Sequence, residues 1–247
     1  MFRSRYRYTL VLVGSLLPAM AGQTSAPTAT AIIPTQTTET LFRSVDDFWS
    51  HQIAALGGRY RSPKLSSFSQ SLGGVCDVRL TLTGAFYCPV NETVYLDQAF
   101  LREVVERARD EGDTALGYVV AHELAHHIQN IIGTTGLVNQ ARSRSTPQLG
   151  NRILTTMELQ ADCYAGLWVR WAQAHGAIKL PADISKTLDT VAAIGQKWQL
   201  HVAVGQQVLD PFTHGSEAQR LKWFRRGSDS GQFGDCDTFG AQANGNL

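Results

Sequence analysis

The rhythm of hydrophobic positions changes along the chain, and each change marks an expected element. From Leu41, apolar side chains recur at helical spacing (Leu41, Val45, Phe48, Trp49), as on one face of an amphipathic helix. Residues 75 to 96 read as β instead. Val78, Leu80 and Leu82 alternate, and Phe86, Tyr87, Val94 and Tyr95 add aromatic and branched strand formers around Pro89 and Asn91. Helical spacing returns at Leu101, Val104, Val105 and Ala108, with Asp97 placed to cap that helix. A second helix is expected from Asp113 or Thr114 to Gly133, a residue suited to a left-handed helix end. Residues 134 to 152 are rich in Thr, Ser, Arg and Gly and contain Pro147, so they read as a mobile connection. A helix over 153 to 175 follows. Another begins at Asp183, with Ile184, Leu188, Val191, Ile194 and Trp198 at helical spacing, and a short last one follows Ser216. There is no internal repeat. The pattern predicts a mainly helical α+β domain with a small sheet or hairpin ahead of the 113–133 helix.

The two ends of the pattern add an address. Arg3, Arg5 and Arg7 precede an apolar run from Thr9 to Leu17, and Ala19-Met20-Ala21 offers a small-x-small cleavage site. Residues 1–21 are therefore expected to be a signal peptide, with an uncleaved N-terminal anchor as the alternative. The run is short for a membrane span. Residues 22–40, made of Thr, Ala, Pro and Gln with Glu39 as the one charge, read as a flexible linker to a domain at 41–247. A formal net charge of +1 argues against a nucleic-acid partner. The four cysteines fit an exported, periplasmic or secreted protein, and none is spaced C-x-x-C. Three pairings are possible. Cys76–Cys88 is favoured because a Thr83-Gly84 turn could close those strand ends, and elimination then leaves Cys163–Cys236.

The chemistry concentrates in His122-Glu123-Leu124-Ala125-His126. Four residues are a little over one helical turn, so both imidazoles project from one face and can reach one ion. Glu123 is rotated about 100° from His122, where it can serve as general base toward a water on that ion. Two His leave a catalytic zinc short of a third protein ligand. The metzincin continuation is absent, since Gln129 and Ile132 stand where its Gly and third His belong. A later helix offers Glu158 and Asp162, four residues apart on one face: Glu158 as the third ligand, Asp162 as hydrogen-bond acceptor for a ligand His. His127 sits one residue off the ligand face and is expected to pack or hydrogen-bond locally. His51, His175 and His201 lack a ligand-spaced partner, and Arg142 with Arg144 reads as a solvated loop.

The stretches 121–130 (AHELAHHIQN) and 158–166 (ELQADCYAG) resemble the bacterial neutral zinc metallopeptidase family. So do Phe86-Tyr87-Cys88-Pro89 with Val94-Tyr95-Leu96-Asp97, and Asp210-Pro211-Phe212-Thr213-His214-Gly215-Ser216 with Cys236-Asp237-Thr238-Phe239. The resemblance runs from about residue 41 to 240. It implies a zincin-like, gluzincin-type fold, one catalytic zinc on His122, His126 and Glu158, and Asp162 behind the first His. Thr213-His214 with Arg220 is similar to the Thr-His and Arg pair of the prenyl-protein proteases. That likeness implies that His214 and Arg220 stabilise the oxyanion of a peptide-bond hydrolysis. Members of the family usually carry an N-terminal hydrophobic segment. Gluzincins hold substrate as an added strand, for which Thr93 to Leu96 is the expected edge.

The sequence thus predicts an exported zinc metalloendopeptidase with Glu123, His214 and Arg220 catalytic, acting on a peptide or protein. Contact with a membrane is expected only if the N-terminal segment is uncleaved. Two rivals remain: a zinc-binding protein without peptidase activity, and an exported interaction module in which H-E-x-x-H is accidental.

Overall fold

One helix, α3 (Gly112–Ile131), lies at the centre and is buried on nearly every side. Its sequence explains why: Ala115, Leu116, Val119, Val120, Leu124 and Ile128 surround the axis instead of forming a stripe, as expected of an interior helix. The computed structural model describes residues 35–69, 71–76, 82–179, 181, 183–202 and 214–247. The signal segment, the strand expected at Val78 and Leu80, and Asp210–Thr213 lie outside the described residues. Ahead of α3 come α1 (Thr35–Ala55), the strands β1 (Lys64–Phe68), β2 (Ala85–Cys88) and β3 (Thr93–Asp97), and α2 (Gln98–Ala108). After it come α4 (Thr134–Ser143), α5 (Pro147–Ala174), α6 (Ile184–Val202), α7 (Glu217–Ser230) and α8 (Thr238–Ala243). Among the described residues no helix is long and apolar enough to cross a membrane.

Most helix starts follow the capping chemistry of the sequence. The Asp97 side chain accepts from the Ala99 amide at 2.8 Å at the head of α2. Ser216 and Gln219 form a reciprocal capping box at the head of α7. Gly133 takes φ +90 and breaks the chain after α3. Two expectations change. Helix α1 begins at Thr35, ahead of the Leu41 start that periodicity marks. Residues 134–152, expected as a mobile connection, instead form α4 and the first turns of α5. Thr146 caps α5 and Pro147 occupies its first turn, where a missing amide costs nothing.

The sheet is three-stranded in the order β1-β3-β2, with β3 parallel to β1 and antiparallel to β2. The hydrophobic pattern did not reveal β1, whose Lys64-Leu65-Ser66-Ser67-Phe68 alternates weakly. The order corrects the expected substrate edge. Thr93–Leu96 is the central strand, paired on both sides, so it offers no free backbone. Among the described residues β2 is the outer strand beside α3. Gly84 O accepts from the Asp97 amide at 3.0 Å, so Phe86 also faces β3, while Ala85 and Tyr87 turn their backbone groups outward.

Helices α3 and α5 run antiparallel along one seam, where the Trp168 ring covers Gly117; a Cβ there would lie 2.8 Å from it. The α5–α7 crossing is tighter still. A Cβ at Gly166 would lie 2.1 Å from Phe224 O, and one at Gly227 would lie 2.0 Å from Cys163 O. Backbone touches backbone, and the disulfide Cys163–Cys236 fastens the chain beyond α7 to the same turn of α5. The second disulfide joins Cys76 to Cys88, so both favoured pairings are present. Gly227→Ala is expected to force the helices apart and to lower stability by about 1–3 kcal/mol, a drop of several degrees in Tm. Gly136→Ala in α4, where nothing lies within 4 Å, should instead stabilise by up to about 1 kcal/mol. Thermal unfolding of the two variants side by side checks the opposite signs.

Candidate metal centre

Along the seam, α3 presents Tyr118, His122 and His126 at four-residue intervals, and α5 presents Asp162 and Glu158 in the opposite sense. Ligand-capable atoms of His122, His126 and Glu158 all lie within 4.8 Å of one another. His122 Nε2 is 3.2 Å and His126 Nε2 is 3.6 Å from Glu158 Oε2. His214, just ahead of α7, brings its Nε2 to 3.5 Å from the same oxygen, but it is outside the three-residue set.

The opposite ring nitrogens are already committed. His122 Nδ1 lies 3.0 Å from Asp162 Oδ1, and a carboxylate held down to about 2 can only accept. Burial alone would raise Asp162; the Arg220 guanidinium and His122 overcome it. His126 Nδ1 lies 2.8 Å from Gln129 Oε1, whose amide nitrogen is spent on Met157 O at 2.8 Å. Both imidazoles therefore donate from Nδ1, and in their neutral form both aim an Nε2 lone pair at a carboxylate. Lone pairs facing an anion require a cation or added protons. Against the effect of burial, Asp162 and Glu158 draw a proton onto His122, whose pKa is pushed up to about 10, and Glu158 is held well below its ordinary range by His214, His126 and His122. Two imidazole nitrogens and one carboxylate oxygen are a donor set that zinc accepts, so the residues fit the ion.

Glu123 is buried beside this set. Burial raises its carboxyl above the ordinary range, while His126, His122 and a backbone hydrogen bond from Tyr87 on β2 pull it back. The outer strand thus reaches the candidate base through its own main chain. Its position is pinned from α3: Asn130 Nδ2 donates to the Tyr87 hydroxyl at 3.1 Å, which donates to His127 Nδ1 at 2.9 Å. His127 Nε2 in turn donates to Arg61 O at 2.8 Å. A carbonyl can only accept, so the direction of the whole chain is fixed. Burial keeps His127 below its ordinary pKa and neutral, and the local role expected of it is what its contacts describe.

Behind His122, Asp162 is fully buried and also receives the Tyr118 hydroxyl. Arg220 donates from Nε to Asp162 Oδ2 at 3.1 Å and from Nη2 to the Tyr118 hydroxyl oxygen. The resemblance implies an oxyanion contact for Arg220; its described hydrogen bonds instead turn the guanidinium to the rear of His122. Sequence reasoning missed Tyr118, Gln129 and Tyr87. Tyr118 at i−4 from His122 was a usable signal, while the other two depend on how helices and strand meet. His175 stacks on Trp171 and His51 is exposed on α1, away from any such cluster, while the His201 side chain lies outside the described residues. Arg220→Met should leave Asp162 buried without its cation and cost about 3–5 kcal/mol in urea unfolding with chelator present. Arg107→Met, which removes a surface pair with Glu103 at 3.0 Å, should cost under about 0.5 kcal/mol in the same assay.

Comparison with known proteins finds relatives that share much of the chain. An Escherichia coli (strain K12) protein named "Uncharacterized protein YpfJ" is 37% identical over 203 residues, covering 82% of this chain and 70% of the relative. A Mycobacterium tuberculosis (strain H37Rv) protein, also named as uncharacterized, is 36% identical over 208 residues, covering 80% of this chain and 68% of the relative. No solved structure matches. The family model described as "Putative neutral zinc metallopeptidase" matches residues 16–239, and with those relatives it shows that the chain belongs to that family.

Proposed function

We propose that the chain is an exported zinc-dependent metalloendopeptidase with its site on His122, Glu123, His126, Glu158 and His214. The observation that carries this reading is the convergence of two Nε2 lone pairs and Glu158 Oε2, with the buried carboxyl group of Glu123 beside them. Zinc bound by His122, His126 and Glu158 would supply Lewis-acid polarisation of water and of the scissile carbonyl.

The chain's own residues do the rest. Glu123, with a raised carboxyl pKa, takes a proton from the attacking water and returns it to the leaving amine. The Tyr87 backbone bond and the pinned position of β2 hold that carboxylate in place. His214 has its pKa lowered, by burial first, and its side chain is 33% exposed, so a neutral imidazole can reach an incoming carbonyl and donate to the developing oxyanion. Arg220 acts from behind: it neutralises Asp162, which orients His122. A peptide adds as a strand to the groups that β2 leaves open, the amide and carbonyl of Ala85 and the carbonyl of Tyr87, in place of Thr93–Leu96. Both disulfides support residence in an oxidising compartment, which the N-terminal signal segment would supply.

The mature chain should carry close to one zinc per molecule by elemental analysis, and His126→Ala should lose it. Glu123→Gln should keep the zinc and the fold while lowering peptide hydrolysis by about 10²–10⁴-fold. Full hydrolysis by Glu123→Gln would rule the mechanism out. Stoichiometric zinc without hydrolysis of any peptide in a broad unbiased mixture would favour the non-enzymatic zinc-binding reading.

A further inference from the structure

The His ligands are held from behind in two different ways. His122 leans on a charged knot of Asp162, Tyr118 and Arg220. Among the described residues the groups behind His126 are amides, with no carboxylate on its Nδ1. Gln129, one turn along α3 and fully buried, offers Oε1 to His126 Nδ1 at 2.8 Å. Its amide nitrogen donates to Met157 O at 2.8 Å and to Gln160 Oε1 at 3.1 Å, using both hydrogens. Gln160, buried on α5, donates from its own amide nitrogen to Cys236 O at 3.1 Å.

Each direction in this chain is forced. Met157 O and Cys236 O can only accept, so neither glutamine can exchange its oxygen and nitrogen without setting acceptor against acceptor. Gln129 must then present its oxygen to His126, and His126 must carry its proton on Nδ1. The far end is equally fixed, because the Cys236 carbonyl belongs to the residue that a disulfide fastens to Cys163 on α5. A buried network with every member satisfied is rigid, and a single wrong amide orientation would propagate along it.

We propose that Gln129 and Gln160 are positioning residues for the metal site: the relay His126–Gln129–Gln160–Cys236 O fixes the tautomer and ring orientation of the second His ligand and so sets the affinity for zinc. The inference rests on the zinc reading above. Neither glutamine touches substrate or the reacting atoms. The relay also makes the disulfide-fastened C-terminal segment part of the metal site's support, although its nearest link, Cys236, lies two side chains from His126.

The test uses the full mature chain and zinc ion alone. Zinc affinity is measured by competition with a chromophoric chelator, alongside imidazole N–H proton resonances of the zinc-loaded protein. Wild type should show exchange-protected N–H protons on His122 Nδ1 and His126 Nδ1, beside that of the buried His127 Nε2. Gln129→Met should weaken zinc binding about 10–100-fold and remove the His126 signal while leaving that of His122. Gln160→Met should weaken binding by a smaller factor and broaden the His126 signal, and it carries the test if Gln129→Met does not fold. A purely structural role would lower the melting temperature of the zinc-free variants yet leave affinity and the His126 N–H in place. Unchanged affinity, or a protected His126 N–H in Gln129→Met, overturns the relay with the zinc site intact. Wild-type protein that takes up no stoichiometric zinc overturns the underlying reading instead, so the two failures are distinguishable.

Discussion

The rest of the structure depends on neutralising one buried carboxylate. Asp162 has no exposure to solvent, and a charge in that position is costly unless several donors meet it. Three do, from two helices: Tyr118 and His122 on α3 and Arg220 on α7, all meeting Asp162 on α5. Arg220 on α7 reaches Asp162 on α5 where the two helices approach to backbone contact. Gly166 and Gly227 allow that approach, and Cys163–Cys236 fastens the adjoining chain. The glycines, the arginine and the disulfide thus all lie at one helix crossing, and the carboxylate neutralised there orients His122.

Glu158, one turn from Asp162 on the same helix, is treated in the opposite way. No arginine is within ion-pair distance of it among the described residues; it faces imidazoles, which carry charge only when protonated or when they share a cation. Asp162 has its countercharge built into the fold, whereas Glu158 has a countercharge that must be supplied. That contrast between two acids on one helical face separates a structural carboxylate from a candidate ligand. It also explains why the metal reading follows from the hydrogen-bond pattern: the Nδ1 positions are spent, so the Nε2 positions are directed inward.

Much of this was legible in the sequence because it is local. His122, Glu123 and His126 share a helix, as do Glu158 and Asp162, and a spacing of four residues is a statement about faces. The mainly helical fold, the Asp97 and Ser216 caps and both disulfide pairings were likewise accessible from composition and spacing. What was hidden is what requires one element to find another. The strand β1 has almost no alternation, and it takes its identity from pairing with β3. The order β1-β3-β2 cannot be read from strand propensity, so the free edge was assigned to the wrong strand. Residues 134–152 read as a loop because Thr, Ser and Gly are abundant, yet Gly133 and Thr146-Pro147 are helix punctuation, and they divide the stretch into two helices. For Gln129 no spacing rule exists: its partner is on the same helix, but its meaning comes from Met157 and Gln160 on another.

The sheet adds the last constraint. If β3 were the outer strand, a peptide could pair with it, but β2 would stand between that peptide and α3. With β2 outermost, the backbone of Tyr87 touches Glu123, and the side chain of the same residue is tied to His127 and Asn130 on α3. One residue therefore fixes the distance between the strand edge and the candidate base by main chain and side chain at once. His127, next to His126 but on the side of the helix that faces the sheet, is part of this link. Helix α3 uses one turn to face α5 with His122 and His126, and the neighbouring position to face the sheet with His127. The double histidine at 126–127 is where the two halves of the site are held in register.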